Sequence, residues 1–343
     1  MKKLQNTLYI TTADAYLTLD GENVVLSVEK EECGRMPLHL LESIVCFNYG
    51  GASPALLGKC AEYGIVVTFL SPSGRFLSRS VGKTYGNVFV RRAQYRTADD
   101  KEQALHLASD MLSAKMSNNA AVLRRALSDH ATRMDTERVE SAARAIRESA
   151  IKAYTACSSE TLRGIEGEAA NRYFSVLEEL ILSDKEYFRY TGRNRRPPLD
   201  PVNALLSFGY SLMTATCSSA LESAGLDPYV GFLHTERPGR CSLALDLLEE
   251  FRAPFVDRFV LTLINKKIVS RDSFYTKENG ACLLTDEARK EFLKHWQNKK
   301  REELQHPFLK EKVQWGMLPF VQAMLLAKHI RGDLDDYPPF LWK

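Results

Sequence analysis

No apolar run in this sequence approaches the roughly 20 residues needed to cross a bilayer. The longest stretches, VLTLIN (260–265) and AMLLA (323–327), stop far short of that length. The opening MKKLQNTLYITT turns polar before an apolar leader core can form, so no leader or membrane span is expected and the protein is read as cytoplasmic. Paired cysteines are missing too. Cys33, Cys46, Cys60, Cys157, Cys217, Cys241 and Cys282 are odd in number and scattered, with no CxxC pair. That excludes a disulfide framework or a zinc knuckle and leaves reduced cysteines packed as small hydrophobes. Nor is there an excess of one charge. Lys and Arg total 46 against 43 Asp and Glu, a net +3, so bulk charge does not mark a nucleic-acid binder. Repeats and low-complexity segments are absent.

What is present is ordinary globular composition, 45% hydrophobic and 26% charged, over 343 residues. That is enough chain for two domains or one large one. The first ninety residues read as short strands. AYLTLDGENVVLSVE is a hairpin joined through Asp20-Gly21-Glu22-Asn23, and ESIVCFNYGG and GIVVTFLSPSGRFLSRS continue the pattern, with a turn at Ser71–Gly74. Between them Ser53 caps, Pro54 opens and Gly64 closes a short helix. From about Asn87 the period becomes helical: 101–127, 134–154, the stretch from Ser159 that is strongest over 168–182, a helix opened by Asp200-Pro201 and closed near Gly225, one after Cys241 that ends at Pro254, one over 255–269, and a mostly helical 290–330. The expected fold class is α+β, with a strand-rich domain over 1–88 and a larger helical domain over 89–343.

Positive charge is clustered although its total is small. Arg91, Arg92 and Arg96 form one group, Arg189, Arg193, Arg195 and Arg196 another, and Lys299, Lys300 and Arg301 a third. Each can hold phosphates or simply be a solvated face. Acidic residues crowd the helix after Cys241, where Asp246 shares a face with Glu249 and Glu250 among Leu243, Leu247, Leu248 and Phe251. A carboxylate that close to the apolar side needs an arginine, backbone donors or a cation. Glu166 lies between Gly164 and Gly167 just before an expected helix, where it reads as a capping carboxylate or as a ligand. His234, in a Gly/Pro-flanked loop, reads as a satisfied loop histidine or as a ligand. If Glu166, His234 and Glu249 converge, two oxygens and one imidazole nitrogen suit Mg²⁺ or Mn²⁺. Such an ion acts on phosphodiesters.

Three blocks, LRGIEGEAANRYF (162–174), RNRRPPLDPVNALLSFGYSL (193–212) and GLDPYVGFLH running on through GRCSLALDLLEEFR (225–252), together resemble CRISPR-associated protein one, the adaptation integrase. The ending DDYPPFLWK resembles the type I-C form. The resemblance implies an N-terminal β domain that dimerises and a helical catalytic domain. It places the family's metal-binding and catalytic residues on Glu166, His234 and Glu249, with Asp246 matching an acidic position one helical turn earlier. Many family members carry Asp where this chain has Glu249, which leaves open whether Glu249 or Asp246 meets the metal. The implied reaction is transesterification dependent on Mg²⁺ or Mn²⁺, in which the 3′-hydroxyl of a captured DNA fragment attacks a phosphodiester at the CRISPR repeat. Arg163, Arg193, Arg195 and Arg196 are then candidate phosphate clamps, and Asn203 a supporting hydrogen-bonder. Implied partners are double-stranded DNA, a second copy in a homodimer, and CRISPR-associated protein two. A competing expectation is a DNA-binding scaffold of the adaptation complex with no turnover of its own.

Overall fold

The structure is a computed structural model that describes residues 6–72, 74–80, 82 and 88–342. The chain divides into two compact units, Met1–Tyr85 with Leu284–Glu302, and Gly86–Leu283 with Glu303–Lys343. Part of the expected turn at Ser71–Gly74 and the junction near residue 87 lie outside the described residues.

The first unit is strand-rich. Strand β1 (Asn6–Ile10) is followed by the antiparallel trio β2 (Tyr16–Asp20), β3 (Asn23–Val28) and β4 (Glu31–Pro37). The two-residue loop between β2 and β3 places Gly21 at φ 58°, the conformation such a turn requires. Strand β5 (Leu41–Cys46), helix α1 (Pro54–Glu62), β6 (Val66–Leu70) and β7 (Phe76–Ser80) complete a four-stranded sheet of order β1-β5-β6-β7, antiparallel only at β6–β7. Leu17, Leu38, Ile44, Leu56 and Val67, all fully buried, form its core. Ser53 caps α1 by accepting from Leu56 N–H, as its sequence position predicts.

The helix at Asp286–Arg301, ninth in chain order (α9), belongs to this unit. A single cut at 88/89 assigned it to the helical domain, because periodicity reports that a segment is helical and not where it packs. Burial of Phe292 and Trp296 draws α9 onto the sheet. There Lys300 Nζ donates to Glu42 Oε1 at 2.5 Å and to Thr7 Oγ1 at 3.2 Å.

The second unit is helical. After α2 (Val88–Asp99), the 30-residue α3 (Lys101–His130) runs about 45 Å at 1.5 Å per residue, capped by Asp100. A single turn at Ala131–Arg133 returns the chain as α4 (Thr136–Tyr154). Helix α5 spans Ser159–Ser175, capped by the Ser158 hydroxyl, and a 3-10 turn follows at Leu177–Leu180. The expected stretch from Ser159 is helical from its first residue, but its strongest part, 168–182, leaves out the first turns of α5, since the cap at Ser158 lies upstream of the strongest apolar period. Helix α6 (Pro201–Ser223) starts on the Asp200 side chain and ends before Gly225.

Helix α7 (Ser242–Leu248) does not run to Pro254. A π-helical segment at Arg252–Asp257 carries the proline and leads into α8 (Arg258–Asn265), shorter than the expected 255–269. The amide missing at Pro254 leaves Glu250 O without its usual donor, and Asn118 Nδ2 supplies one from α3 at 2.9 Å. Short ladders follow, β8 (Phe274–Thr276) with β9 (Cys282–Leu284), and the hairpin β10 (Glu303–Gln305) with β11 (Lys312–Gln314). That hairpin interrupts the expected 290–330 helix ahead of α10 (Leu318–Ile330). Cys46, Cys60, Cys217 and Cys282 are buried as small hydrophobes, whereas Cys33 and Cys157 are exposed.

Candidate active site

A cleft of about 320 Å³ opens in the helical unit, walled by α3, α5, α6 and the π segment, with the loop carrying His234. Helix α5 presents one face to it: Arg163, Glu166, Ala170, Tyr173 and Phe174 recur at three- and four-residue spacing. Glu166 therefore sits two turns inside a helix and not at its start. The capping reading is excluded, and Gly164 and Gly167 are helical positions with open space around them.

Three carboxylates of one short segment have three different tasks. Asp246 is wholly buried behind the loop. Its Oδ2 accepts from Phe232 N at 2.7 Å and Leu233 N at 3.0 Å; its Oδ1 accepts from His234 N at 3.0 Å and lies 2.6 Å from His234 Nδ1. A carboxylate only accepts, so Nδ1 carries the hydrogen and Nε2 is turned toward Glu249 Oε1, 4.0 Å away. Backbone packing here is tight: a Cβ on Gly231 would stand 2.6 Å from Asp246 Oδ2 and 2.9 Å from the Ser242 carbonyl carbon. All of Asp246's acceptor directions are taken, and it orients the histidine.

Glu249 faces the cleft. Its Oε2 lies 2.8 Å from Lys115 Nζ and 2.9 Å from Arg252 Nε, yet receives no aligned hydrogen bond. Burial would raise its carboxyl, but Arg252, then Lys115 and His234, outweigh burial and bring it down to about 2. Glu250 points to the opposite side. Fully buried, it accepts from Tyr337 Oη at 2.6 Å, Phe340 N at 2.7 Å and Gln322 Nε2 at 3.0 Å, which fastens the C-terminal segment to the back of the site.

Several lining residues escaped sequence reasoning. Lys115 bridges Glu166 Oε1 at 2.5 Å and Glu249. Burial opposes its charge, but Glu249 and Glu166 hold the ammonium above its ordinary range. The signal was available: Leu112, Lys115 and Asn119 fall on the inward stripe of α3, where a lysine needs a partner. Arg252 stacks over the Tyr210 ring at 4.6 Å. Asp257 accepts from Tyr210 Oη at 2.5 Å and Tyr173 Oη at 3.0 Å, and burial pushes it up to about 6. Arg240 and Thr235 also line the cleft.

The sequence-predicted clamps divide. Arg163, Arg193 and Arg195 line the cleft, whereas Arg196 is exposed and outside the lining. Asn203 is fully buried beneath Arg193, accepting from its Nη1 at 2.6 Å and donating to Gly192 O and Asp200 Oδ2, so it shapes the arginine loop.

Two carboxylates and an imidazole whose Nε2 is turned toward Glu249, with one buried carboxylate oxygen lacking an aligned donor, are donor types that suit an oxygen-preferring divalent cation. Among the described residues, no group of three or more His, Cys, Asp or Glu side chains stands close enough to hold an ion without rearrangement. Lys115 stands between the two glutamates. Lys115, Arg163, Arg193, Arg195, Arg240 and Arg252 outnumber Glu166, Glu249 and Asp257 in the lining, so the cleft attracts anions.

The family profile described as CRISPR associated protein Cas1 matches residues 8–298. The chain is 50% identical over 343 residues to CRISPR-associated endonuclease Cas1 1 of Chlorobaculum tepidum, with 100% of each chain covered. Among solved structures it resembles a Cas1 protein from Thermotoga maritima at TM-score 0.81 and 25% identity, covering 98% of this chain and 100% of that one. A casposase bound to integration product shares the fold at TM-score 0.84 and 24% identity, covering 97% and 92%. The chain belongs to the Cas1 family.

Proposed function

We propose that the chain is a metal-dependent DNA endonuclease and integrase of CRISPR adaptation, joining 3′-hydroxyl ends of captured fragments to the CRISPR repeat by transesterification. One observation carries the reading: Asp246 fixes His234 so that Nε2 faces Glu249 in a cleft lined by arginines. Glu166, His234 and Glu249 would hold Mg²⁺ or Mn²⁺, which when bound stabilises charge on the attacking and leaving oxygens. Arg163, Arg193, Arg195 and Arg240 bind and orient the phosphates, with Asn203 holding the loop that presents Arg193. No side chain is required as a covalent nucleophile. Partners on this reading are double-stranded DNA, a second copy through the strand-rich unit, and CRISPR-associated protein two; a Cas6-RT-Cas1–Cas2 complex is among the solved structures of similar fold. The ending DDYPPFLWK supports the type I-C form, and a cytoplasmic location follows from the role.

The Lys115 bridge favours a second reading. With an ammonium already neutralising both glutamates, they serve a DNA-binding scaffold structurally. Strand transfer separates the two. A labelled 3′-hydroxyl fragment is offered to supercoiled DNA carrying a CRISPR repeat, with the partner protein present, in Mn²⁺, Mg²⁺ or EDTA. Metal-dependent joining abolished by Glu166→Ala and His234→Ala, with DNA binding intact, supports the enzyme; binding without joining under every metal condition supports the scaffold.

A further inference from the structure

The two cations on Glu249 are held very differently. Arg252 is stacked on the Tyr210 ring, and Tyr210 is itself tied to buried Asp257, so the guanidinium is pinned. Among the described residues, Lys115 pairs with Glu166 and Glu249 through a flexible four-carbon stem. Its side chain is 12% exposed, and Glu166 on its far side is 30% exposed, so the ammonium has a path to water through the cleft. Its Nζ stands between Glu166 Oε1 and Glu249 Oε2, the position a divalent ion would need in order to touch both.

We propose that Lys115 is a displaceable internal counter-ion: it holds Glu166 and Glu249 together before metal arrives and must leave when a divalent cation enters. The inference rests on the metal-dependent reading above. Without such a charge the two carboxylates, already brought to one point of a partly buried cleft, would repel and spread. With it, their positions are preserved, and each metal ion that binds must first break two short ion pairs. Lys115 is thus a positioning residue that lowers apparent metal affinity in return for an ordered site. Being tethered, the released ammonium remains beside the cleft and adds to its phosphate-facing charge.

The test is Mn²⁺ binding by the full chain, read as free Mn²⁺ by electron paramagnetic resonance, with thermal unfolding alongside. Lys115→Met removes the competitor and should bind Mn²⁺ at least about tenfold more tightly than wild type. It should also be less stable in EDTA and gain more in melting temperature when Mn²⁺ is added. Lys115→Arg keeps the charge and should show no tightening. Should Lys115→Met not fold in EDTA, Lys115→Gln, which retains a donor without the charge, takes its place with the same expectation. Equal or weaker binding by the neutral variants, where wild type binds and Glu166→Ala does not, overturns the displacement proposal and leaves the metal site standing. Absence of site-specific Mn²⁺ binding in wild type, neutral variants and Glu166→Ala alike overturns the metal reading and the proposal with it.

Discussion

Replacing Asp246 by Asn tests whether the histidine is aimed by its buried partner. The carboxylate accepts from four donors, two on each oxygen. Asn offers a single acceptor oxygen, so no orientation preserves more than two of these contacts. With the amide oxygen facing the backbone of Phe232 and Leu233, the NH₂ group meets His234 and donates to Nδ1. The imidazole hydrogen then moves to Nε2, where it blocks ligation. With the oxygen facing His234, two buried backbone N–H groups meet an NH₂ group instead. Each lost charge-assisted bond with a donor left buried costs about 1–3 kcal/mol, so losing two should cost the variant about 2–6 kcal/mol of stability. Loss of such an orienting partner lowers metal affinity by about 10–100-fold. The assay pairs Mn²⁺ affinity with ¹⁵N shifts of the His234 ring nitrogens, which report the tautomer directly. Wild-type Mn²⁺ affinity together with an unprotonated Nε2 in Asp246→Asn would refute the orienting role.

Three further outcomes follow from other parts of the molecule. Asp257 has a raised carboxyl in the folded state, so the stability it contributes is complete below its ordinary value near 4 and is lost as pH rises through about 6. The change is about 3 kcal/mol between those limits. Unfolding free energies should therefore decline less from pH 4 to 7 in Asp257→Asn, whose amide still pairs with both tyrosine hydroxyls, than in wild type, with Glu250 and Asp110 adding to the slope in both; an unchanged slope would disprove the assignment. In the strand-rich unit, Lys300→Met strands a buried Glu42 and should cost about 3–5 kcal/mol, while Lys300→Met with Glu42→Leu should recover most of it, as chemical denaturation can measure. Finally, Arg163→Ala and Arg195→Ala should each reduce the slope of log affinity for duplex DNA against log salt by about 0.9, whereas Arg196→Ala, outside the cleft lining, should leave it unchanged.

Much of the strand-rich unit was legible because its signals are local. Asp20-Gly21 set the hairpin and Ser53-Pro54 set α1, and each device acts within four residues. Where packing between distant segments decides, sequence periodicity falls silent. Nothing in DEARKEFLKHWQNKK shows that Lys300 meets Glu42, more than 250 positions away. The helical signal of α5 is strongest only from 168 because a polar cap, Ser158, precedes its apolar face by several turns. That weighting toward 168 made Glu166 resemble a capping residue.

The acidic run at 246–250 shows most sharply what residue type leaves undecided. Three carboxylates within five positions share one chemistry, and the α-helical pattern places all of them near a single face. The helix, however, ends at Leu248, and beyond it Glu249 lines the cleft while Glu250 pairs with the C-terminal segment on the opposite side. One carboxylate is consumed by loop amides and an imidazole, one by a tyrosine, a glutamine and a backbone amide of the C-terminal segment, and only the middle one meets the cleft. The absence of an amide at Pro254 contributes to that outcome, because Asn118 binds both the freed Glu250 carbonyl and the Phe340 carbonyl, tying α3 to the site segment and the chain terminus at one point. The longer arm of Glu at position 249 is therefore no obstacle to its proposed role as ligand, and Asp246 cannot take its place, since every acceptor direction it has is already spent on holding His234.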